Sequence, residues 1–156
     1  MSVPPTHRSG HPPAVGTFTT ELSVRFPDVD AAGIVYFAKA FDYAHLAWEE
    51  LLAAGGLPLH EAIPGRPWIL PLIHAEADYR RPMRFGERLR VEASLTDVGG
   101  STVTLRYAVR GAEGELRATV TLVHCAVDKA SARRIPLPEE VLAVLGRAGL
   151  SLPATA

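Results

Sequence analysis

Residues 28–37, DVDAAGIVYF, run straight into residues 38–54, AKAFDYAHLAWEELLAA, and the rest of the chain is arranged about that junction. The second stretch has good helix formers, no proline and Gly55-Gly56 behind it, which predicts one long helix over 38–54. Asp30 then stands in a tight turn just ahead of a helix N-terminus, where unpaired backbone N–H groups can meet an anion. Two readings of that carboxylate are open. It is a cap or turn residue, or it is equipment for acyl chemistry, with the acid attacking or activating water while amides steady an oxyanion. Gly33 lets the backbone approach a ligand closely or take a positive φ. On the helix, Ala44, Ala47, Trp48 and Leu51 fall on one apolar face, and Asp42, His45 and Glu49 form a second, polar stripe. That stripe is a solvated or internally hydrogen-bonded face, or it has a task. His45 and Glu49 have metal-ligand spacing, but no third ligand is recognisable and no metal is predicted.

Outward from the junction, residues 17–26 alternate as a first strand, with Phe18, Leu22, Val24 and Phe26 on one parity and Pro27 ending the ladder. Residues 1–16 hold four prolines and few apolar groups, which predicts a disordered tail in which His7 and His11 are incidental. After the helix, residues 55–71 read as a proline-rich loop anchored by Trp68 and Ile69, which pack or act as a lid. Four successive strands follow. Ile73, Ala75, Ala77 and Tyr79 share a face of the first; Leu89, Val91, Ala93 and Leu95 mark the second. Val103, Leu105, Tyr107 and Val109 mark the third, and residues 116–127 form a fourth, apolar on both parities and read as central. Pro136 and Pro138 introduce a short helix over 139–145. The expected organisation is one domain over 17–148 with a C-terminal tail over 149–156. Strand, long helix and four strands have one economical solution: an α+β fold in which an antiparallel sheet curls around the helix.

Composition narrows the function classes. The chain has 156 residues, 47% hydrophobic and 21% charged, enough for one globular core. A net charge of −1 gives no reason to expect nucleic acid or an anionic membrane as partner. The single Cys125 excludes an intrachain disulfide and fits a reducing cytoplasm. No apolar run reaches the length of a membrane span, and the N-terminus lacks a signal-peptide pattern. A soluble cytoplasmic protein is expected. Cys125 and neighbouring His124 point to opposite faces of a strand, so they are not a nucleophile–base pair, and Cys125 is read as buried packing. No GxSxG elbow or Walker loop occurs.

DVDAAGIVYF resembles the signature of the 4-hydroxybenzoyl-CoA thioesterase family, hotdog-fold enzymes with a loop of the form Asp-x-Asp-x-x-Gly-[Ile/Val]-Val-aromatic-aromatic. HLAWEELL, LPLIHAEADYRRPMRFGERL and HCAVDKASARRIPLP extend the likeness over roughly residues 18–145. Among subfamilies the chain is most similar to the 1,4-dihydroxy-2-naphthoyl-CoA thioesterases. The resemblance implies a hotdog fold, Asp30 as catalytic acid and the Phe37 backbone N–H facing the thioester carbonyl. It implies Gly33, Ile34, Val35, Tyr36, His45 and Glu49 as substrate-binding positions, with Asp28 holding the loop. Glu49 is the rival acid, because some other hotdog thioesterases use a helix glutamate; their His-Gly-Gly loop is absent here. Active sites at the interface of a homodimer or homotetramer are implied too.

The expected activity is hydrolysis of an acyl-CoA, aromatic by resemblance, to free acid and coenzyme A, without a metal or redox cofactor. The alternatives are a short- or medium-chain acyl-CoA or acyl-carrier-protein thioesterase, a hotdog hydratase, and a non-catalytic acyl-CoA-binding protein. The hydratase lacks its loop histidine in DVDAAGIVYF, and the retained Asp30 opposes the binding protein. Arg80, Arg81, Arg84, Arg88 and Arg90 crowd one strand–turn–strand and read as a solvated surface or as phosphate readers. Gly99, Gly100 and Ser101 stand where some family members carry a basic run.

Overall fold

A computed structural model describes residues 16–153. The expected tail over 1–16 therefore lies outside the described residues but for Gly16, as do His7 and His11. Ten elements follow in order: β1 (Phe18–Ser23), α1 (Lys39–Ala54), α2 (Leu59–Gly65), β2 (Trp68–Ile69), β3 (Leu72–Tyr79), β4 (Arg88–Val98), β5 (Thr102–Arg110), β6 (Leu116–Cys125), β7 (Val127–Asp128) and α3 (Glu139–Arg147). Five strands make one antiparallel sheet in the order β1-β4-β5-β6-β3, and β2 pairs with β7 in a small ribbon.

The long helix forms where expected, one residue later than its predicted start. Ala40, Ala44 and Ala47 are fully buried, and their small side chains let α1 lie close against the sheet. Trp48, Leu51 and Leu52 fill the space beside them. The sheet answers with alternate residues: Val103, Leu105, Tyr107 and Val109 of β5 are buried, whereas Thr104, Arg106 and Ala108 between them are not. Burying a side chain of leucine size contributes about 1.5–3 kcal/mol, so this one interface dominates the stability of the domain. At the other end of α1, a Cβ on Gly55 would collide with the Val144 carbonyl of α3. Glycine there lets the two helices touch, and the Arg147 Nε–H donates to the Gly55 carbonyl oxygen at 2.8 Å.

Several expectations change. The ladder of β1 stops at Ser23, before Pro27, because a 3-10 turn over Phe26–Asp28 begins there, with the Asp28 N–H donating to the Arg25 carbonyl at 2.9 Å. That turn swings Phe26 off the apolar parity, and it is 77% exposed. Residues 59–65, expected in a loop, form α2. Pro64 gives no N–H, but hydrogen bonds on either side of it, Ala62 N–H to Pro58 and Arg66 N–H to Ala62, carry the turns. The centre of the sheet is β5; β6 is interior but lies next to the β3 edge. Finally, the segment after residue 148 is tied down at its start. Leu150 is buried in the core, and the Ser151 N–H donates to the Gly16 carbonyl at 3.3 Å.

The two edges of the sheet are unlike. β1 turns one side to the core, with Thr20 buried and Phe18 and Leu22 partly buried, and Thr20 donates its hydroxyl to Glu50 of α1. β3 is exposed along nearly its whole length on both faces, with Ile73 52% and Tyr79 45% exposed.

Candidate active site

The segment 28–37 is a small knot of backbone hydrogen bonds. Val29 and Val35 form an antiparallel bridge; the Asp30 N–H donates to Ile34 and the Gly33 N–H returns to Asp30 at 3.0 Å. Gly33 takes φ +75°, and nothing lies within 4 Å of where its Cβ would stand. The positive φ of the turn, not a crowded contact, calls for glycine. Two more bonds fasten the knot to the turn before β4: Val35 N–H to Met83 at 2.8 Å and Phe85 N–H to Gly33 at 3.0 Å.

Within it the two acids have different surroundings. Asp28 is buried, and its Oδ2 accepts from the Tyr43 hydroxyl of α1 at 2.9 Å and from the Arg25 N–H at 3.1 Å. Burial, then this bond to Asp28, raises the Tyr43 pKa far above the usual phenol value. Asp28 thus pins the loop to the helix. Asp30 is exposed. Its Oδ1 accepts from the Ala32 N–H at 2.8 Å and the Ile34 N–H at 3.2 Å. Oδ2 has no partner among the described residues. Asp30 caps its own turn rather than α1, whose N-cap is Ala38 with no side-chain cap bond. The outcome is a carboxylate with one oxygen anchored and the other presented outward.

The Phe37 and Ala38 N–H groups, first donors at the start of α1, have no hydrogen-bond acceptor among the described residues. Phe37 is nevertheless held in place, because its carbonyl accepts from the Tyr79 hydroxyl of β3. Burial raises the Tyr79 pKa, so the phenol stays a neutral donor. Ile34, Val35, Phe37, Tyr79 and Arg80 border a recess of about 270 Å3. Tyr36 and Phe37 stand exposed beside it with ring centroids 4.7 Å apart. Of the clustered arginines, Arg80 and Arg81 line this recess and Arg84 adjoins it through its bridge to Ile34.

His45 and Glu49 are not brought to that recess. Glu49 lies ten residues along α1 from Lys39, a rise of about 15 Å. Both are exposed and edge a second, larger cavity of about 520 Å3 between α1, α2 and the segment 68–72. Its walls are mostly apolar, with Trp48, Leu52 and Leu59 among them, and Trp68 and Ile69 help close it, as a lid would. No group of three His, Cys, Asp or Glu among the described residues has metal-site geometry.

His124 was not among the expected site residues, yet it lines this cavity. It is 3% exposed and stacks on Trp48, with ring centroids 4.1 Å apart and planes inclined by 13°. Its Nδ1 lies 2.9 Å from the Leu70 carbonyl oxygen, and its Nε2 is buried without a partner. Burial pushes its pKa down to about 4, the Leu70 carbonyl opposing and nearby His45 adding to the fall. Cys125 beside it is buried as expected. Arg117, also unforeseen, is fixed between Glu87 and Glu115 and donates to the carbonyl of Pro82, which borders the smaller recess, at 2.7 Å.

Residues 24–145 match the family model described as Thioesterase-like superfamily. The chain is 37% identical over 119 residues to the 1,4-dihydroxy-2-naphthoyl-CoA hydrolase of Synechococcus elongatus, covering 76% of this chain and 87% of that one. It is 33% identical over 126 residues to the protein of the same name from Nostoc punctiforme, covering 81% and 84%. The crystal structure of a 1,4-dihydroxy-2-naphthoyl-CoA thioesterase from Synechocystis superposes with a TM-score of 0.78 at 31% identity, covering 84% of this chain and 96% of the other.

Proposed function

The chain belongs to the Thioesterase-like superfamily, and from that premise we propose that it is an acyl-CoA thioesterase using Asp30, with an aromatic acyl group as its substrate. The observation that carries the reading is the Asp30 turn: one carboxylate oxygen anchored by two amides, the other free, in the loop that leads into a helix with unpaired N–H groups. Asp30 either attacks the thioester carbonyl or takes a proton from the water that does. The carbonyl oxygen gains negative charge as the tetrahedral centre forms, and the Phe37 N–H is a donor suited to it. The C–S bond then breaks, the coenzyme A thiolate leaves and is protonated, and the free acid remains. Ile34 and Val35 line the recess for the reacting end, with Gly33 turning the loop and Tyr36 exposed beside it.

The aromatic preference draws on the named activity of the relatives and on Trp48, Trp68 and the roomy cavity they border. Cavity and Asp30 loop are distinct within one chain, so the working site is assembled between two copies. The exposed β3 edge, with Ile73 and Tyr79, is the surface on which they join. Residence in the cytoplasm accords with the lone buried Cys125, and no helix among the described residues is long and apolar enough to cross a membrane.

Release of free thiol over a panel of acyl-CoA and acyl-carrier-protein thioesters tests the reading. Aromatic acyl-CoA esters are expected to show the highest kcat/KM. A panel led by an aliphatic ester, or by carrier-protein substrates, rejects the aromatic acyl-CoA assignment.

A further inference from the structure

His124 is at odds with its surroundings. Polar groups this deeply buried almost always have partners, yet its Nε2 has none in the protein. The Leu70 carbonyl can only accept, so the contact at 2.9 Å puts the proton on Nδ1. In the neutral ring the lone pair is then on Nε2, which makes that atom a hydrogen-bond acceptor. The Trp48 stack and the Leu70 bond together hold the ring's plane and rotation. A fixed, desolvated acceptor on a residue that lines a largely apolar cavity selects a ligand that brings a donor to it.

We propose that His124 Nε2 is the specificity-determining acceptor for a ring hydroxyl on the acyl group, so that the protein favours hydroxylated aryl thioesters over their unsubstituted counterparts. The proposal rests on the aryl-thioesterase reading and deepens it. A hydroxyl suits the site because it donates while remaining neutral. An ammonium or carboxylate would carry charge into an apolar recess, and an unsubstituted ring would leave the acceptor unpaired. Trp48 stands beside the imidazole and offers a flat surface to the ring that carries the hydroxyl.

The experiment has two arms. In the first, kcat/KM is measured for 1,4-dihydroxy-2-naphthoyl-CoA and 2-naphthoyl-CoA with the unaltered protein, His124→Phe and His124→Gln. Phenylalanine keeps a flat buried ring and drops the acceptor, and glutamine restores one. The unaltered protein is expected to favour the hydroxylated ester by about tenfold or more, as one hydrogen bond in a desolvated site requires. His124→Phe should bring the ratio to within about twofold by losing rate on that ester alone, and His124→Gln should recover part of it. An unchanged ratio, or equal losses on both esters, overturns the proposal and leaves His124 a packing residue.

The second arm needs no turnover and no variant. Nitrogen NMR of the histidine rings is recorded while 1,4-dihydroxy-2-naphthoate or 2-naphthoate is added to the unaltered protein. The Nε2 resonance of His124 is expected to move with the hydroxylated acid only, with Nδ1 unmoved. No movement, or the same movement with both acids, rejects the proposal even in a protein that proves to hydrolyse other esters. Failure of the thioesterase reading is seen separately, as absence of aryl-CoA turnover in the first arm.

Discussion

The two recesses along α1 are built by different means. The one at its start is held largely by backbone: seven hydrogen bonds among residues 28–37 and 83–85 fix it, two of them to the Asp30 side chain, and its side chains stand largely in solvent. The one along its later turns is made of side chains from segments far apart in the chain, Trp48, Leu59, Trp68 and His124, that meet only in the folded protein. Position is built into the first and shape into the second. A reaction demands a carboxylate and amides at fixed separations, which a short turn supplies locally. Recognition of an acyl group demands volume and a few polar atoms, which only tertiary packing supplies.

Replacing Asp30 tests this division most severely. Asp30→Asn keeps the Oδ1 acceptor of the turn and removes the charge. Thermal stability should stay within about 0.5 kcal/mol, because Asn caps as well as Asp, while kcat falls about 10²- to 10⁴-fold at nearly constant KM. Glu49→Gln, on the rim of the other recess, should act on KM instead. A normal rate for Asp30→Asn with collapse in Glu49→Gln moves the chemistry to the helix. In the proposed two-copy site, bringing the two recesses together depends on the β3 edge, and Ile73→Lys places a charge there. In a two-fold assembly each substitution occurs twice, so self-association should weaken roughly 10²-fold, with activity following it. Sedimentation showing an unaltered assembly, or a fully active monomer, separates the recesses for good.

The side-chain-built recess should also be the acid-sensitive one. The His124 pKa in the folded protein, about 4, lies below its ordinary 6.5, so between those values the unfolded chain binds the extra proton. Stability is therefore whole above pH 6.5 and declines as pH falls toward 4, by up to about 3 kcal/mol. His124→Phe should flatten that part of the Tm–pH curve; an equally steep curve assigns the loss to other groups. The smallest effect concerns the loop end. Tyr43→Phe strips Asp28 of a buried donor and should cost about 1–2 kcal/mol, read as a lowered Tm, with the substrate preference unchanged. A shifted preference would mean that the two ends are coupled through α1.

Local order is what made one end readable. Asp28, Asp30, Gly33 and the two aromatic residues stand in a run whose spacing already implies a turn at a helix start, and the structure forms the turn there. The helix and the four later strands were legible from the spacing of their apolar residues, but only β4 and β5 among those strands bury alternate positions over most of their length, while β3 is exposed on both faces. The α2 helix was hidden because the prolines of residues 55–71, Pro58 and Pro64 among them, read as a loop, although Pro58 lies outside the helix and Pro64 near its end. His124 was hidden for another reason. Its partners, Leu70 and Trp48, are 54 and 76 residues away in the chain, and no local pattern marks a histidine whose environment arrives by folding. Phe26 shows the reverse fault: parity predicted burial, but the turn entered at Pro27 changes the side chain's direction.

The bond between the Ser151 amide and the Gly16 carbonyl brings the entry and exit of the folded unit side by side. A short linker could therefore join them, and new ends could be opened at the exposed turn over 112–114 between β5 and β6, leaving each strand and α1 intact. Such a circular permutant would be held together by pairings that no longer follow chain order. The same geometry lets the whole unit be inserted into a surface loop of another protein, hanging from two adjacent strands of chain as a bead does from a folded thread.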